Sequence, residues 1–357
     1  MEDLVARRLF MLHPLSIDLD HILDHTHDLW DEVRGRRIFI TGGTGFFGCW
    51  LLESFCWAND HLDLHASALV LTRDPQKFAG KAPHLANHPA IQLYAGDVRA
   101  FDFPAGEFSH VIHAATESDL QLNAENPLLM LDTIVEGTRR TLDFARHCGT
   151  PKFLLTSSGA VYGKQPATLT CIPEEYAGAP DPLDPRSAYG EGKRLAEHLC
   201  ALYAQQYGLH VKIARCFAFV GPYLPLDASF AVGNFIRNGL RGEPIYVKGD
   251  GSPYRSYLYA SDLAIWLWTI LFKGRTCCPY NVGSSQEITI SDLATVIADY
   301  FQPKVRVQIA RQSISGNIPE RYMPSTQKIW DELGLRQYID LHAAIMRSIV
   351  WYSRYAS

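Results

Sequence analysis

The stretch Ile38-Phe39-Ile40-Thr41-Gly42-Gly43-Thr44-Gly45-Phe46-Phe47-Gly48 decides the fold. Three apolar strand formers run into T-G-x-x-G-x-x-G, which also reads as G-x-G-x-x-G from Gly43, and a helical pattern follows from Cys49 to Trp57. Strand, glycine turn and helix in that order make a dinucleotide cradle. The glycines allow a tight turn and close backbone approach, and the helix N-terminus stabilises the charge of a pyrophosphate. Gly42, Gly45, Phe46, Phe47 and Gly48 are therefore the first candidate cofactor contacts.

Short apolar runs continue outward from this unit at Ala68 to Leu71, Ile91 to Tyr94, His110 to His113, Lys152 to Thr156 and Val211 to Ala214. Helical stretches separate them, notably Leu128 to His147 and Gly190 to Tyr207. Such alternation predicts an α/β protein: a doubly wound parallel Rossmann sheet covered on both faces. After Arg215 the chain becomes richer in Gly, Pro and Tyr, as expected of a smaller C-terminal substrate-binding lobe. The predicted organisation is a helical extension over 1–35, a dinucleotide-binding domain over 36–215 to which 260–285 returns, and a substrate lobe from 216–259 and 286–357. In the extension, Leu19, Ile22, Leu23, Thr26, Leu29, Trp30 and Val33 recur at helical spacing, with Asp18 as the expected cap. His21, His25 and His27 are read as its solvated face rather than as a metal site.

The end of the second strand selects the dinucleotide. A carboxylate there binds the adenosine ribose diol, whereas a cation accommodates a 2′-phosphate. The chain reads Leu71-Thr72-Arg73-Asp74, with Thr72 where the acid would stand and Lys77 one helical turn beyond Arg73. NADP(H) is favoured, with NAD(H) the alternative if Asp74 reaches the diol.

Composition narrows the partners. The 357 residues carry 33 Lys+Arg against 38 Asp+Glu, a formal charge of -5, and no long basic run, which argues against nucleic-acid binding. The most apolar run, Leu263 to Phe272, is about half the ~20 residues a membrane span needs and reads as a buried helix. The opening Met1-Glu2-Asp3 shows no leader pattern, and eight scattered cysteines without a C-x-x-C pair suggest reduced thiols in a cytoplasm and no zinc site.

Tyr189-Gly190-Glu191-Gly192-Lys193 sets a phenol and an ammonium four residues apart, on one helix face. A tyrosine near pKa ~10 is a poor base at neutral pH, and a neighbouring cation stabilises its phenolate enough for proton exchange with a sugar hydroxyl. Lys152 to Ser158 is a strand ending in hydroxyls, which adds a third candidate group.

With TGGTGFFG, Gly96-Asp97-Val98, His113-Ala114-Ala115, TSSGAVYG, PRSAYGEGK, GDGSPYRSYLYASDL and YNVGS on the page, the chain resembles an extended short-chain dehydrogenase/reductase of the nucleotide-sugar epimerase/dehydratase group. The likeness runs from about Arg36 to Leu335. It implies Ser158, Tyr189 and Lys193 as the catalytic set, Lys193 also holding the nicotinamide ribose. Asp97 and Val98 would face the adenine, and Ala114, Ala115 and Thr116 would line the cofactor cleft. Asn234 and Arg255 match positions that hold the diphosphate of a nucleoside-diphosphate sugar, with Arg321 a further candidate. A structural salt bridge is the other reading of Arg255. For Asp262 a helix cap is preferred. The resemblance also implies a homodimer built on two helices per subunit.

The departures from the family pattern bear on the chemistry. Ile134 and Ala218 stand where the family often has asparagine. After Ser158, the resemblance implies Asp-Glu for a dTDP-glucose 4,6-dehydratase and Ser-Glu for a UDP-glucuronate decarboxylase; this chain has Gly159-Ala160. The expectation is therefore hydride transfer at C4 by an epimerase or a 4-ketoreductase. A dehydratase or decarboxylase is the alternative, with Glu117 or Asp119 as the substitute acid, and a dinucleotide-sensing protein without catalysis is a third possibility.

Overall fold

The sheet forms from β-branched and aromatic runs too apolar to face water on either side. The computed structural model describes residues 13–116, 120–228, 230–312, 316 and 318–354. Strands β1 (Arg37–Thr41), β2 (Ser67–Thr72), β3 (Ile91–Ala95), β4 (His110–His113), β5 (Lys152–Ser158), β6 (His210–Cys216) and β7 (Pro279–Val282) join in the order β7-β6-β5-β4-β1-β2-β3, all parallel. β1 and β4 are neighbours although β2 and β3 intervene in sequence. Chain order therefore reverses between them, which opens a crevice at their carboxyl ends.

Two apolar layers cover the sheet. On one face lie α3 (Pro127–His147) and α4 (Ala188–Tyr207), packed together where Gly192 brings α4 against Ile134; a Cβ there would come within 3.2 Å of Ile134 Cδ1. On the other face lie α2 (Phe46–His61) and α6 (Ala260–Lys273), the latter buried from Ala260 to Phe272, in agreement with the reading of Leu263 to Phe272. Between α4 and α6 comes α5 (Ala231–Leu240), which packs with α7 (Ile290–Asp299) and α8 (Leu341–Ser353) in a separate small core around Phe235, Ile236, Leu293 and Ile345.

The N-terminal segment breaks into two pieces, α1 (Ser16–Thr26) and a 3-10 turn over His27–Val33. Asp18 is not its cap. The helix starts at Ser16, so Asp18 lies inside it, buried, accepting the Tyr259 hydroxyl at 2.8 Å and pairing with Arg347. His21 is likewise not on a solvated face: it is half-buried, 3.8 Å from the Asp262 carboxylate and 4.4 Å in ring separation from His25. Asp262 itself does not cap α6. It sits in the first turn and accepts backbone N–H groups of Tyr338 and Ile339, both at 3.0 Å, so it clasps a distant loop. His13 and His84 close on the buried Glu53 of α2 at 3.2 and 2.8 Å, and Tyr223 donates to the same carboxylate. This His-Glu-His group has ligand-type atoms within 4.8 Å of one another. Hydrogen bonds already satisfy its carboxylate. Among the described residues no helix is long and apolar enough to cross a membrane.

Candidate active site

The crevice beside β1 is a cavity of about 600 Å³. Gly42, Gly45, Thr72, Arg73, Asp97, Val98, Ala114, Ala115 and Thr116, all candidate cofactor contacts, line it. Gly42 has φ +73°, and a Cβ on it would lie 2.4 Å from the Ala114 backbone, so only glycine lets the turn approach β4 this closely. Gly48 does not line the cavity; a Cβ there would lie 2.3 Å from the Gly42 oxygen, so its role is to seat α2 against the turn. The Phe46 and Phe47 side chains also turn away from the crevice and pack inward, Phe47 edge-on to Phe219 at 5.1 Å. These residues offer the crevice the unsatisfied N–H groups of a helix N-terminus.

Charge completes the cradle. Arg73, Lys77, Lys81 and Arg99 line the cavity against Asp74 and Asp97, a net positive lining that suits a polyphosphate. Asp97 receives Arg99 through two guanidinium contacts of 2.9 Å, which hold its carboxyl below the usual range. Asp74 caps the short helix Pro75–Lys81 by accepting the Lys77 N–H at 2.9 Å. The glycine cradle, the helix N-terminus and the surplus of cations together fit a dinucleotide.

β5, the neighbour of β4 in the sheet, and α4 bring the three candidate catalytic groups together at the carboxyl edge of the sheet, outside the residues that line the cavity. Ser158 ends β5, and its Oγ accepts the Ala160 N–H at 3.1 Å as the chain turns. Tyr189 and Lys193 occupy successive turns of one α4 face, with Lys193 Nζ 5.9 Å from the centre of the Tyr189 ring. Burial pushes the Tyr189 phenol up to about 12, against the opposing hydrogen bond of Ser158. Burial pushes Lys193 down to about 8, and its ammonium donates to the Thr156 carbonyl at 2.9 Å. Beneath them Glu197, one turn beyond Lys193, takes Arg215 at 2.7 Å and the Ser157 hydroxyl at 2.5 Å. That ion pair fixes α4 to β5 and β6. Behind β4, His113 is buried between Thr41 and Thr138 and held neutral, its pKa pushed down to about 3 by burial.

The sugar-side candidates are less free than their sequence matches suggested. The Asn234 amide donates to the carbonyls of Ala228 and Phe230, at 2.8 and 2.9 Å, which uses both its hydrogens and leaves none for a diphosphate. Arg255 takes the salt-bridge reading, 3.1 Å from Glu320, and Arg321 pairs with Glu287 over the Tyr254 ring. Glu117 and Asp119 lie outside the described residues.

Comparison with known proteins now decides the family. Residues 38–283 match the NAD dependent epimerase/dehydratase family. The chain belongs to it. It is 31% identical over 315 residues to UDP-glucuronic acid decarboxylase 6 of Arabidopsis thaliana, spanning 87% of this chain and 86% of that protein. In fold it resembles the UDP-glucose 4-epimerase of Thermotoga maritima, crystallised with UDP-glucose, at a TM-score of 0.76 and 21% identity over 90% of this chain and 100% of that one. It also resembles the dTDP-glucose 4,6-dehydratase DesIV of Streptomyces venezuelae, crystallised with NAD and TYD, at a TM-score of 0.72 and 25% identity over 89% and 97% of the two chains.

As a member of the NAD-dependent epimerase/dehydratase family the protein is an enzyme of the extended short-chain dehydrogenase/reductase group. Several residues of this family member's crevice escaped sequence reasoning. Thr44, Lys81 and Arg99 line the cavity beside β1; Arg99 had a signal, since it follows Asp97 by two residues at a strand end. Tyr322 and Phe217 stand over Gly159, where a Cβ would meet the Tyr322 oxygen at 2.6 Å and the Phe217 ring at 2.8 Å. No local pattern points to that meeting.

Proposed function

We propose that this enzyme transfers hydride at C4 of a nucleoside-diphosphate sugar, as an epimerase or a 4-ketoreductase, without losing water or carbon dioxide. The observation that carries the reading is the set of serine, phenol and ammonium made by Ser158 at the end of β5 and by Tyr189 and Lys193 on one α4 face, with glycine and alanine next to Ser158. A bound nicotinamide would accept and return hydride. Tyr189 would exchange the proton of the C4 oxygen while Ser158 hydrogen-bonds that oxygen. With its phenol pushed up to about 12, Tyr189 stands ready as the acid, and Lys193 is the cation that makes it a base. Elimination or decarboxylation places further demands on a group near C5, and neither Gly159 nor Ala160 can protonate or deprotonate anything.

NADP(H) is the favoured cofactor, because Arg73 lines the cavity while Asp74 is turned to capping, with NAD(H) the alternative. The nucleotide sugar would lie between the Rossmann sheet and the lobe of 216–259 and 286–357, close to Arg255 and Arg321. A homodimer through α3 and α4 fits the exposed Leu128 and Leu195, and unpaired thiols suit a cytoplasm. The likeness to UDP-glucuronic acid decarboxylases supports decarboxylation as the second reading.

The purified protein should be incubated with UDP-glucose, UDP-N-acetylglucosamine, dTDP-glucose and UDP-glucuronate, and with 4-keto sugars plus NADPH, the products being followed by mass and NMR. C4 epimers of unchanged mass, or reduced sugars two mass units heavier, are expected. A product lighter by water or carbon dioxide would reject the reading in favour of the second and direct attention to Glu117 and Asp119.

A further inference from the structure

Tyr322 has no part in the mechanism above, yet its hydroxyl hangs over the residue that follows Ser158. The Cβ that Gly159 lacks would lie 2.6 Å from Tyr322 Oη. The phenol is held there from two sides. Its ring packs on Phe217 at 4.7 Å between centres, and its backbone N–H donates to the Tyr254 carbonyl at 3.2 Å. Ser158 is close enough to both the Tyr189 and the Tyr322 phenols for its hydroxyl to favour the ionised form of each against the burial that raises them.

The capacity of the serine hydroxyl then sets the arrangement. It accepts two hydrogen bonds and donates one. Ala160 N–H occupies one lone pair at 3.1 Å. If nothing fills the other, Ser158 is free to accept from Tyr189 and to point its own proton elsewhere.

We propose that Tyr322 is a positioning residue: it donates its hydroxyl proton to the second lone pair of Ser158 Oγ, so that the one serine proton points at Tyr189 in the free enzyme and at the C4 oxygen once the sugar is bound. The state of the Tyr322 phenol suits this role. Burial raises the Tyr322 phenol, so at neutral pH it keeps its proton and acts as a donor. The consequence for turnover rests on the proposed hydride transfer at C4; the hydrogen bond does not.

The test has one arm without substrate and one with it. In protein labelled with ¹³Cζ-tyrosine, the Tyr322 and Tyr189 resonances are identified by their loss in Tyr322→Phe and Tyr189→Phe. Ser158→Ala should displace both, and Tyr322→Phe, which keeps the ring on Phe217, should displace that of Tyr189. With whichever nucleotide sugar is turned over, Tyr322→Phe should lower kcat about 3- to 10-fold at unchanged KM, the loss expected of one ordinary hydrogen bond. Gly159→Ala, which pushes the phenol away, should do the same. In the Ser158→Ala background Tyr322→Phe should have no further effect. A Tyr189 resonance unmoved by Tyr322→Phe, or losses that multiply in the double variant, would overturn the assignment. Resonances that shift while wild-type protein turns over no nucleotide sugar would support the contact and overturn the functional reading instead.

Discussion

Arg73 and Asp74 leave β2 side by side, and their different tasks show how much one residue's chemistry depends on its neighbours. Asp74 is drawn to the Lys77 N–H of the helix it caps, while Arg73 lines the crevice among Lys77, Lys81 and Arg99. If NADP(H) is the cofactor, as proposed, a charge-assisted bond from Arg73 to its 2′-phosphate would contribute about 1.5–3 kcal/mol. Calorimetric titration of Arg73→Ala should therefore show NADP(H) binding weakened by roughly 10- to 100-fold and NAD(H) nearly unchanged; an equal loss for both would make Arg73 a general phosphate contact. At this scale the residues legible in the sequence were those whose neighbours are local: Ser158 at a strand end, Tyr189 and Lys193 four apart, glycines in one turn. Tyr322 was not legible, because the space it fills belongs to Gly159, 163 positions earlier.

Elements were predicted well where periodicity defines them and misread where a carboxylate looked like a local cap. Asp18 and Asp262 each precede or open an apolar run, the pattern of an N-cap. Both are instead buried against partners distant in sequence: Tyr259, 241 positions from Asp18, and Tyr338, 76 positions from Asp262. The segment before β1 gains a further attachment through His13, Glu53 and His84. Burial alone would raise the Glu53 carboxyl, but hydrogen bonds from His13 and His84 overcome it and hold it down at about 2, while the bond to Glu53 raises His84 above its ordinary 6.5. The signs fix a window. The contribution of His84 is full below pH 6.5 and is lost as pH rises through its raised folded value; that of Glu53 is present above pH 4.5 and lost as pH falls through about 2. The clasp is therefore strongest between pH 4.5 and 6.5. Thermal unfolding of His84→Ala and wild type should differ more at pH 5.5 than at pH 8.5, and an equal gap at both would show the clasp to be independent of charge.

Across the whole molecule, the parallel order β7-β6-β5-β4-β1-β2-β3 follows from alternating strands and helices, and it places the crevice where β1 and β4 part. The glycine turn and the end of β5 lie on the same edge of the sheet because each sits at the carboxyl end of its strand, and α4 packs beside β5 with Lys193 bonded to the Thr156 carbonyl. That much is readable in the sequence, since strand order in such folds obeys few alternatives. The sugar side was not readable. It is assembled from short strand pairs and loops whose ion pairs, Arg255 with Glu320 and Arg321 with Glu287, depend on long-range folding. The central claim, hydride transfer at C4, has one direct measurement, the passage of deuterium between C4 and the nicotinamide: a substrate with a C4 hydrogen is supplied deuterated there, a 4-keto substrate is supplied with NADPH deuterated at the transferred position, and sugar and dinucleotide are analysed by mass and NMR. Deuterium that crosses from one to the other, with turnover slowed by the label and abolished in Tyr189→Phe, is the predicted result; a sugar converted with the label left where it was and no isotope effect would contradict it.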